Sequence, residues 1–330
     1  MKRLLATVAL AGSVMLASAQ NNDHIYGNAH EAEDFLSQSA QFASHPDPNF
    51  YIYLCIGQSN MEGPFPADSI DYEGVSERFL IMPTMDFNKG EGRYRGEGRK
   101  KYEWDVAVPP LCRPNTGLSC ADYFGRTMAE SLPDSIKVGV VHVAIGGCKI
   151  EHLFKEYDPA EVQKEAGWFQ GFMRAYDNLP YIRLIDCALR AQKQGVIKGI
   201  LLHQGCSNTG DPKWPAKVNK VYNDILRDLS LKAEDCPLVA GELVRGEMGG
   251  KCSSHNPIIN QLPSVIKNSA VVSSEGLTCQ PDGLHFSLEG FREIGKRYAE
   301  AMMKLNGIQP IVKEQPAPEP QKGKGRKGKK

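Results

Sequence analysis

The sequence predicts an α/β domain built on a mainly parallel, five-stranded sheet with helices on both faces. Three observations carry that expectation. Short apolar runs of strand length alternate along the chain with longer runs of helical period. The strand-length runs lack a clean in–out alternation, as strands covered on both faces do. The 330 residues are 41% hydrophobic and 24% charged, a composition that excludes collagen-like, coiled-coil and wholly disordered chains.

Taken in order, the chain opens with Lys2 and Arg3, an apolar run from Leu4 to Ala17, and the small-residue site Ala17-Ser18-Ala19. That is the pattern of a secretory signal peptide over 1–19, cut near Ala19. The run is shorter than the ~20 residues a bilayer span needs. Gln20 rather than Cys follows it, so nothing points to a lipid anchor. The protein is therefore expected to be exported, to the periplasm or beyond the cell. The alternative is a buried N-terminal helix. Residues 20–49 are polar and mixed, a segment expected to lie across the surface.

Residues 50–312 hold the single folded domain. Its strand candidates are Tyr51 to Ile56, Lys137 to Ile145, Lys198 to Leu202, Pro237 to Leu243 and Ala270 to Ser273. Helical periodicity fills the gaps at Cys120 to Leu132, Tyr181 to Gln194, Trp214 to Leu231, Pro257 to Lys267 and Leu288 to Leu305. Gly-rich stretches at 90–98 and 246–251 read as surface loops. The Lys/Gly-rich tail over 313–330 has too little apolar surface to offset its ordering entropy and is expected to be disordered.

Charge narrows the partners. Lys+Arg and Asp+Glu both number 39, but two basic residues lie in 1–19 and seven basic and two acidic ones in 313–330. Residues 20–312 then hold 30 basic against 37 acidic residues, a net of −7. Such a body lacks the basic face that holds nucleic acid by its phosphates.

Nine cysteines fall at 55, 112, 120, 148, 187, 206, 236, 252 and 279, with no C-x-x-C pair to suggest a zinc or redox motif. Cys55 and Cys187 sit in apolar segments and read as buried small hydrophobes. Export would permit disulfides. Cys112 with Cys120, Cys252 with Cys279, and Cys148 with Cys206 are the candidate pairs.

In a parallel sheet the chemistry collects beyond the carboxyl ends of the strands. The first strand runs into Gly57-Gln58-Ser59-Asn60-Met61-Glu62-Gly63, which sets a serine in a tight turn beside backbone N–H groups. It is not the Gly-x-Ser-x-Gly elbow, since Met61 follows Asn60. The second strand is followed by Gly146-Gly147-Cys148, where glycines let a backbone N–H approach a substrate oxygen. The third ends in His203-Gln204-Gly205-Cys206-Ser207-Asn208. Asp282-Gly283-Leu284-His285-Phe286-Ser287 precedes the last helix, a spacing that lets a carboxylate hold the imidazole. Each segment has a plain structural alternative, as a turn or a packing residue. Together they supply a nucleophile, a base, an orienting acid and oxyanion donors, the set that acyl transfer requires.

These segments resemble the SGNH-hydrolase superfamily. Gly57-Gln58-Ser59-Asn60-Met61, His203-Gln204-Gly205 and Asp282-Gly283-Leu284-His285 are similar to its branch of sialate O-acetylesterases and acetylxylan esterases, over roughly residues 50–304. The resemblance implies a three-layer α/β/α sandwich and metal-free hydrolysis of acetyl esters on carbohydrates, with no cofactor. It implies Ser59 as nucleophile, His285 as base and Asp282 as its partner. It further implies an oxyanion hole from the Ser59 N–H, a glycine N–H at Gly146 or Gly147, and the Gln204 side chain. Gln58, Asn60 and His152 are the candidate substrate-binding residues. One departure stands out: Cys206 occupies the position after His-Gln-Gly where the family commonly has Glu.

A histidine base predicts activity that rises as the imidazole loses its proton. His142 reads as a core residue, His203 as one that orients its loop, and His255 as part of a polar loop beside Cys252. Trp104, Trp168 and Trp214 are candidates for stacking on sugar rings. The expected activity is removal of acetyl groups from an acetylated polysaccharide of the xylan type, with O-acetylated sialic acid as the alternative sugar. Two other classes remain open: a metal-dependent hydrolase on Asp282, His285 and another His, and a carbohydrate-binding protein that has lost catalysis.

Overall fold

A computed structural model describes residues 45–311. The expected signal segment over 1–19, the bulk of the 20–49 segment and the tail over 313–330 lie outside the described residues. Within them, the five strands expected from sequence are all present: β1 (Phe50–Gly57), β6 (Lys137–Ala144), β7 (Val196–His203), β8 (Leu238–Gly241) and β9 (Ser269–Val272). The sheet nevertheless has seven strands rather than five, with β2 (Phe79–Met82) and β5 (Asp105–Val106) added, in the order β5-β2-β6-β1-β7-β8-β9. Strand β2 pairs parallel to β6, and β5 closes that edge antiparallel to β2. Neither has a signal in the sequence, because four and two residues carry no periodicity. A small hairpin, β3 (Phe87–Asn88) with β4 (Gly98–Arg99), brackets the Gly-rich 90–98 stretch.

Alternate residues of the central strand enter different cores. Ile52, Leu54 and Ile56 pack with helices α4 (Pro180–Gln192) and α5 (Trp214–Asp228) on one face. Tyr53 and Cys55 pack on the other with α2 (Cys120–Ser131) and α8 (Leu288–Leu305). The chain is therefore a three-layer α/β/α sandwich, with an apolar core on each side of the sheet. The Ser119–Asp122 capping box opens α2, and the Ser287 hydroxyl caps α8 by accepting from the Gly290 N–H. The helix expected over 257–267 is broken into α6 (Asn256–Ile259) and α7 (Leu262–Val265). Pro263 causes the break, because it lacks the N–H a continuous helix would need and its ring would clash with the Ile259 carbonyl. A helix not anticipated, α3 (Gly167–Arg174), lies between β6 and α4. Among the described residues no helix is long and apolar enough to cross a membrane.

β1 is the middle strand and pairs parallel with both β6 and β7. Its last residue, Gly57, has φ +154°, and a β-carbon there would lie 2.2 Å from the His203 carbonyl oxygen. The Gln58 N–H then donates to that same oxygen at 2.9 Å. Gly57→Ala should therefore lower stability by about 1–3 kcal/mol, the usual cost of overpacking a tight site. Urea unfolding checks this, and an unchanged midpoint would show that β1 can retreat from β7.

Candidate active site

Ser59 is the first residue of the one-turn helix α1 (Ser59–Glu62), which starts two residues beyond β1. The Met61 and Glu62 N–H groups donate to the Gln58 carbonyl and that of Gly63 to the Ser59 carbonyl, so the turn is closed by its own backbone. The Ser59 N–H meets no acceptor among the described residues and borders a cavity of about 550 Å³.

The loop before α8 delivers the other two side chains. One Asp282 oxygen accepts from the backbone N–H groups of Leu284 and His285, at 2.8 and 3.1 Å. The other lies 2.7 Å from His285 Nδ1, and His285 Nε2 lies 2.7 Å from Ser59 Oγ. An ionised Asp282 can only accept, so Nδ1 carries the proton and Nε2 is free to accept from the serine hydroxyl. Burial by itself would raise the Asp282 carboxyl. The imidazole and the two backbone donors outweigh it and hold the group below its ordinary value. Asn60 locks this loop onto α1, donating to the Leu284 carbonyl at 3.0 Å and accepting from the Phe286 N–H at 3.2 Å.

Other expected site residues are placed differently. Asn60 is consumed by that clamp, so the substrate-binding role expected of it gives way to a positioning one. The Gly146 N–H donates to Glu62 Oε1 at 2.9 Å and is not available to an oxyanion. The Gly147 N–H has no acceptor among the described residues, and its φ of +77° is the left-handed region that favours glycine. Gln204 turns into the core: its amide donates to Asn208 and Cys148 at 2.7 and 3.1 Å, while its oxygen accepts from the Trp214 indole. Those contacts exclude it as an oxyanion donor in this arrangement. Gln58 faces the cleft, its oxygen fixed by the Gly205 N–H at 3.0 Å and its amide nitrogen unpartnered among the described residues. His152 is buried between Tyr157 and Phe169 and accepts from the Lys149 N–H, away from the cleft. Burial pushes its imidazole below the ordinary value, with Glu165 opposing.

His142 is buried in the core, as read, and His203, read as orienting its loop, is buried as well. Burial lowers His142 to about 4 and His203 to about 3. His142 Nε2 lies 2.9 Å from the Met61 carbonyl, and His203 Nδ1 lies 3.0 Å from the Tyr298 hydroxyl. His255 is buried rather than part of an open polar loop. Of the three tryptophans, Trp214 is fully buried and Trp104 packs on Phe50 at 4.7 Å. Trp168 alone of the three stands in the cleft wall, 59% exposed, on α3 beside Phe172.

Sequence reasoning missed the floor of the cleft. Glu62 and Arg113 form a buried ion pair there, and Arg113 also donates to the Ala144 carbonyl at 2.9 Å. Burial alone would lower the guanidinium, but the Glu62 charge outweighs it and Arg113 is held above its ordinary value. Glu62 was findable, lying three residues after Ser59 on the same turn. Arg113, like the cleft residues Arg93 and Asn115, carries no local signal. The expected cysteine pairs are not formed, and all nine are thiols. Cys148 points at the Gly57 carbonyl at 3.3 Å and Cys112 at that of Ala144 at 3.4 Å. Cys120 packs on Met61, and Cys279 donates to the Met248 carbonyl at 2.9 Å.

With this geometry in hand, the family model described as carbohydrate esterase, sialic acid-specific acetylesterase, matches residues 49–304. The chain belongs to this family. It is a carboxylic-ester hydrolase of the carbohydrate acetylesterase kind. A probable carbohydrate esterase of Arabidopsis thaliana is 21% identical over 277 residues, covering 74% of this chain and 93% of the relative. An Arabidopsis thaliana protein of known structure superposes with TM-score 0.58 at 20% identity, over 78% of this chain and 99% of that one. A carbohydrate acetylesterase from Xanthomonas citri gives TM-score 0.52 at 18% identity, covering 78% and 56%. NanS gives 0.52 at 17%, covering 78% and 98%. At these identities the superpositions establish the shared fold.

The buried pair yields a prediction. Removing one partner leaves an unpaired charge, so Arg113→Met should cost about 3–5 kcal/mol in chemical denaturation. Adding Glu62→Gln should recover much of that loss. A double variant no more stable than Arg113→Met alone would remove the ion pair as the cause.

Proposed function

We propose that this esterase is a metal-independent serine acetylesterase acting on O-acetylated carbohydrate. The observation that carries the reading is the relay of two 2.7 Å contacts, Asp282 to His285 to Ser59, opening into a cavity walled by an exposed tryptophan. Ser59 Oγ attacks the acetyl carbonyl as His285 Nε2 takes its proton. The same imidazole returns that proton to the sugar oxygen as the acetyl–sugar bond breaks. Water, deprotonated by His285, then attacks the acetyl-serine, and the imidazole returns the proton to Ser59 Oγ as acetate leaves. The oxyanion is held by the Ser59 and Gly147 N–H groups, each such donor being worth about 3 kcal/mol of barrier. The unpartnered Gln58 amide supplies a third donor.

The alternative metal-dependent reading has little support in the donor set. Among the described residues no group of three or more His, Cys, Asp or Glu gathers that could hold an ion. Both ring nitrogens of His285 are already engaged by Asp282 and Ser59.

The substrate we favour is an acetylated plant-type polysaccharide, met outside the cytoplasm by an exported enzyme. Trp168 at the cleft mouth gives a neutral sugar ring a face to stack on. O-acetylated sialic acid is the second reading, favoured by the family description and by Arg93 on the cleft wall, which can pair with a carboxylate.

Ser59→Ala should remove about 10⁶ of turnover with the fold intact by circular dichroism. Asp282→Asn should cost roughly 10²–10⁴ through the wrong tautomer. A folded Ser59→Ala protein with near-normal turnover, or activity lost to a chelator and restored by zinc, would sink the serine mechanism. Trp168→Ala should raise KM several-fold on acetylated xylan while sparing a small chromogenic acetate. Acetate release compared on acetylated xylan and on O-acetylated sialosides decides between the sugars.

A further inference from the structure

Two thiols on the cleft wall have no part in the acyl-transfer relay. Cys206 lies in the turn after β7, and Cys252 lies in the loop after β8. Cys252 Sγ is 3.8 Å from the Cys206 carbonyl oxygen, and the two thiols lie near enough for each to shift the other's ionisation. Both border the cavity and both are partly exposed, so a small molecule reaches them from solvent. The other seven differ: six are buried, and Cys279 does not border the cavity. A thiol already in contact with its neighbour's main chain can swing its sulfur toward that neighbour's by a change of rotamer, as an S–S bond requires.

We propose that Cys206 and Cys252 are a reversible disulfide site in the wall of the catalytic cleft, oxidised by exchange with another disulfide. The two sulfurs have unequal roles. The neighbouring Cys206 thiol holds the Cys252 thiol below its ordinary value; burial opposes this, and Thr209, His285 and Lys251 add to the lowering. The same contact, with burial, pushes Cys206 up. Cys252 is therefore the first nucleophile. Its thiolate attacks one sulfur of the oxidant RSSR, breaking the S–S bond, forming Cys252–S–SR and expelling RS⁻. Cys206 then gives its proton to water, attacks the Cys252 sulfur and expels the second RS⁻. Two electrons pass from the protein thiols to RSSR, which leaves as two thiols.

The bond would tie together the loops that frame the reaction. The Lys251 N–H donates to the Gly283 carbonyl at 2.8 Å, and a β-carbon on Gly283 would lie 2.5 Å from the Gly249 carbonyl oxygen. The 249–252 segment thus backs the loop that carries Asp282 and His285. On the other side, Ser207 holds the Gly147 carbonyl at 2.8 Å. A bond between 206 and 252 joins the support of the base to the support of the oxyanion loop.

The test uses the full chain, equilibrated with oxidised or reduced glutathione, alkylated, and mapped without reduction. The expected result is one peptide pair joined through Cys206 and Cys252, two hydrogens lighter than its thiol form and separated by dithiothreitol. The oxidised protein should melt on the order of 5 °C higher than the reduced one, since the bond closes a long loop of the unfolded chain. In Cys206→Ser the cross-link should vanish and Cys252 should instead carry one glutathione. Both cysteines alkylated after oxidation would overturn the proposal, as would a bond from either one to Cys148 or Cys279. This inference stands apart from the esterase mechanism, because mapping and melting read it whether or not Ser59 is the nucleophile.

Discussion

A β-carbon on Gly57 would sit 2.2 Å from the His203 carbonyl oxygen, and the layout of the cleft follows from that approach. Because β1 and β7 close so tightly at their carboxyl ends, the Gln58 N–H reaches the last carbonyl of β7, and the chain turns at once into α1. Ser59 is thereby lifted above the sheet edge with its N–H unspent. The Gly146-Gly147 turn arrives from β6 on the other side of β1, so two backbone donors flank one hydroxyl. The sheet order sets this arrangement: β1 lies between β6 and β7, and all three run the same way.

The serine and the histidine come from opposite ends of the domain, separated by 226 residues, so something must fix their register. The Asn60 side chain does so by bonding the backbone on both sides of His285. Asp282 fixes the loop internally, spending one oxygen on two N–H groups and the other on the imidazole. The carboxylate that holds the imidazole therefore also shapes the loop that presents it. Its lowered pKa records those bonds: the charged form is favoured by every partner it has, against the cost of burial.

Beneath the cleft, Glu62 and Arg113 are an expensive pair to bury, since desolvation offsets most of their attraction. Their value lies in placement. Glu62 accepts the Gly146 N–H and so holds the glycine turn against α1, while Arg113 lies 4.9 Å from the centre of the Phe172 ring and supports the aromatic wall. Once Gly146 is committed in this way, the next residue, Gly147, is the one whose N–H is left unpaired at the cavity among the described residues. The Gln204 amide, which motif reading put in the cleft, serves instead to knit Cys148, Asn208 and Trp214 into the underlying core.

Local sequence determined the chemistry-bearing positions and the layers of the fold. Five strands and most of the helices between them were legible as apolar runs and helical periods, because a strand covered on both faces needs mainly apolar side chains. Ser59, Asp282 and His285 were legible because each sits in a short motif at a strand end or before a helix cap. What only the tertiary structure decided were contacts between segments distant in the chain. Strand β2 exists because β6 offers it an edge, and α7 starts separately because Pro263 lacks a donor. Arg113 belongs to the cleft only because Glu62, 51 residues away, is folded against it. The contact between Cys206 and Cys252 likewise depends on β7 and β8 lying side by side. A motif can name a donor, but whether that donor is free depends on which acceptors the fold brings to it. For Gly146, Asn60 and Gln204, hydrogen bonding within the folded chain claimed the donor before any substrate could.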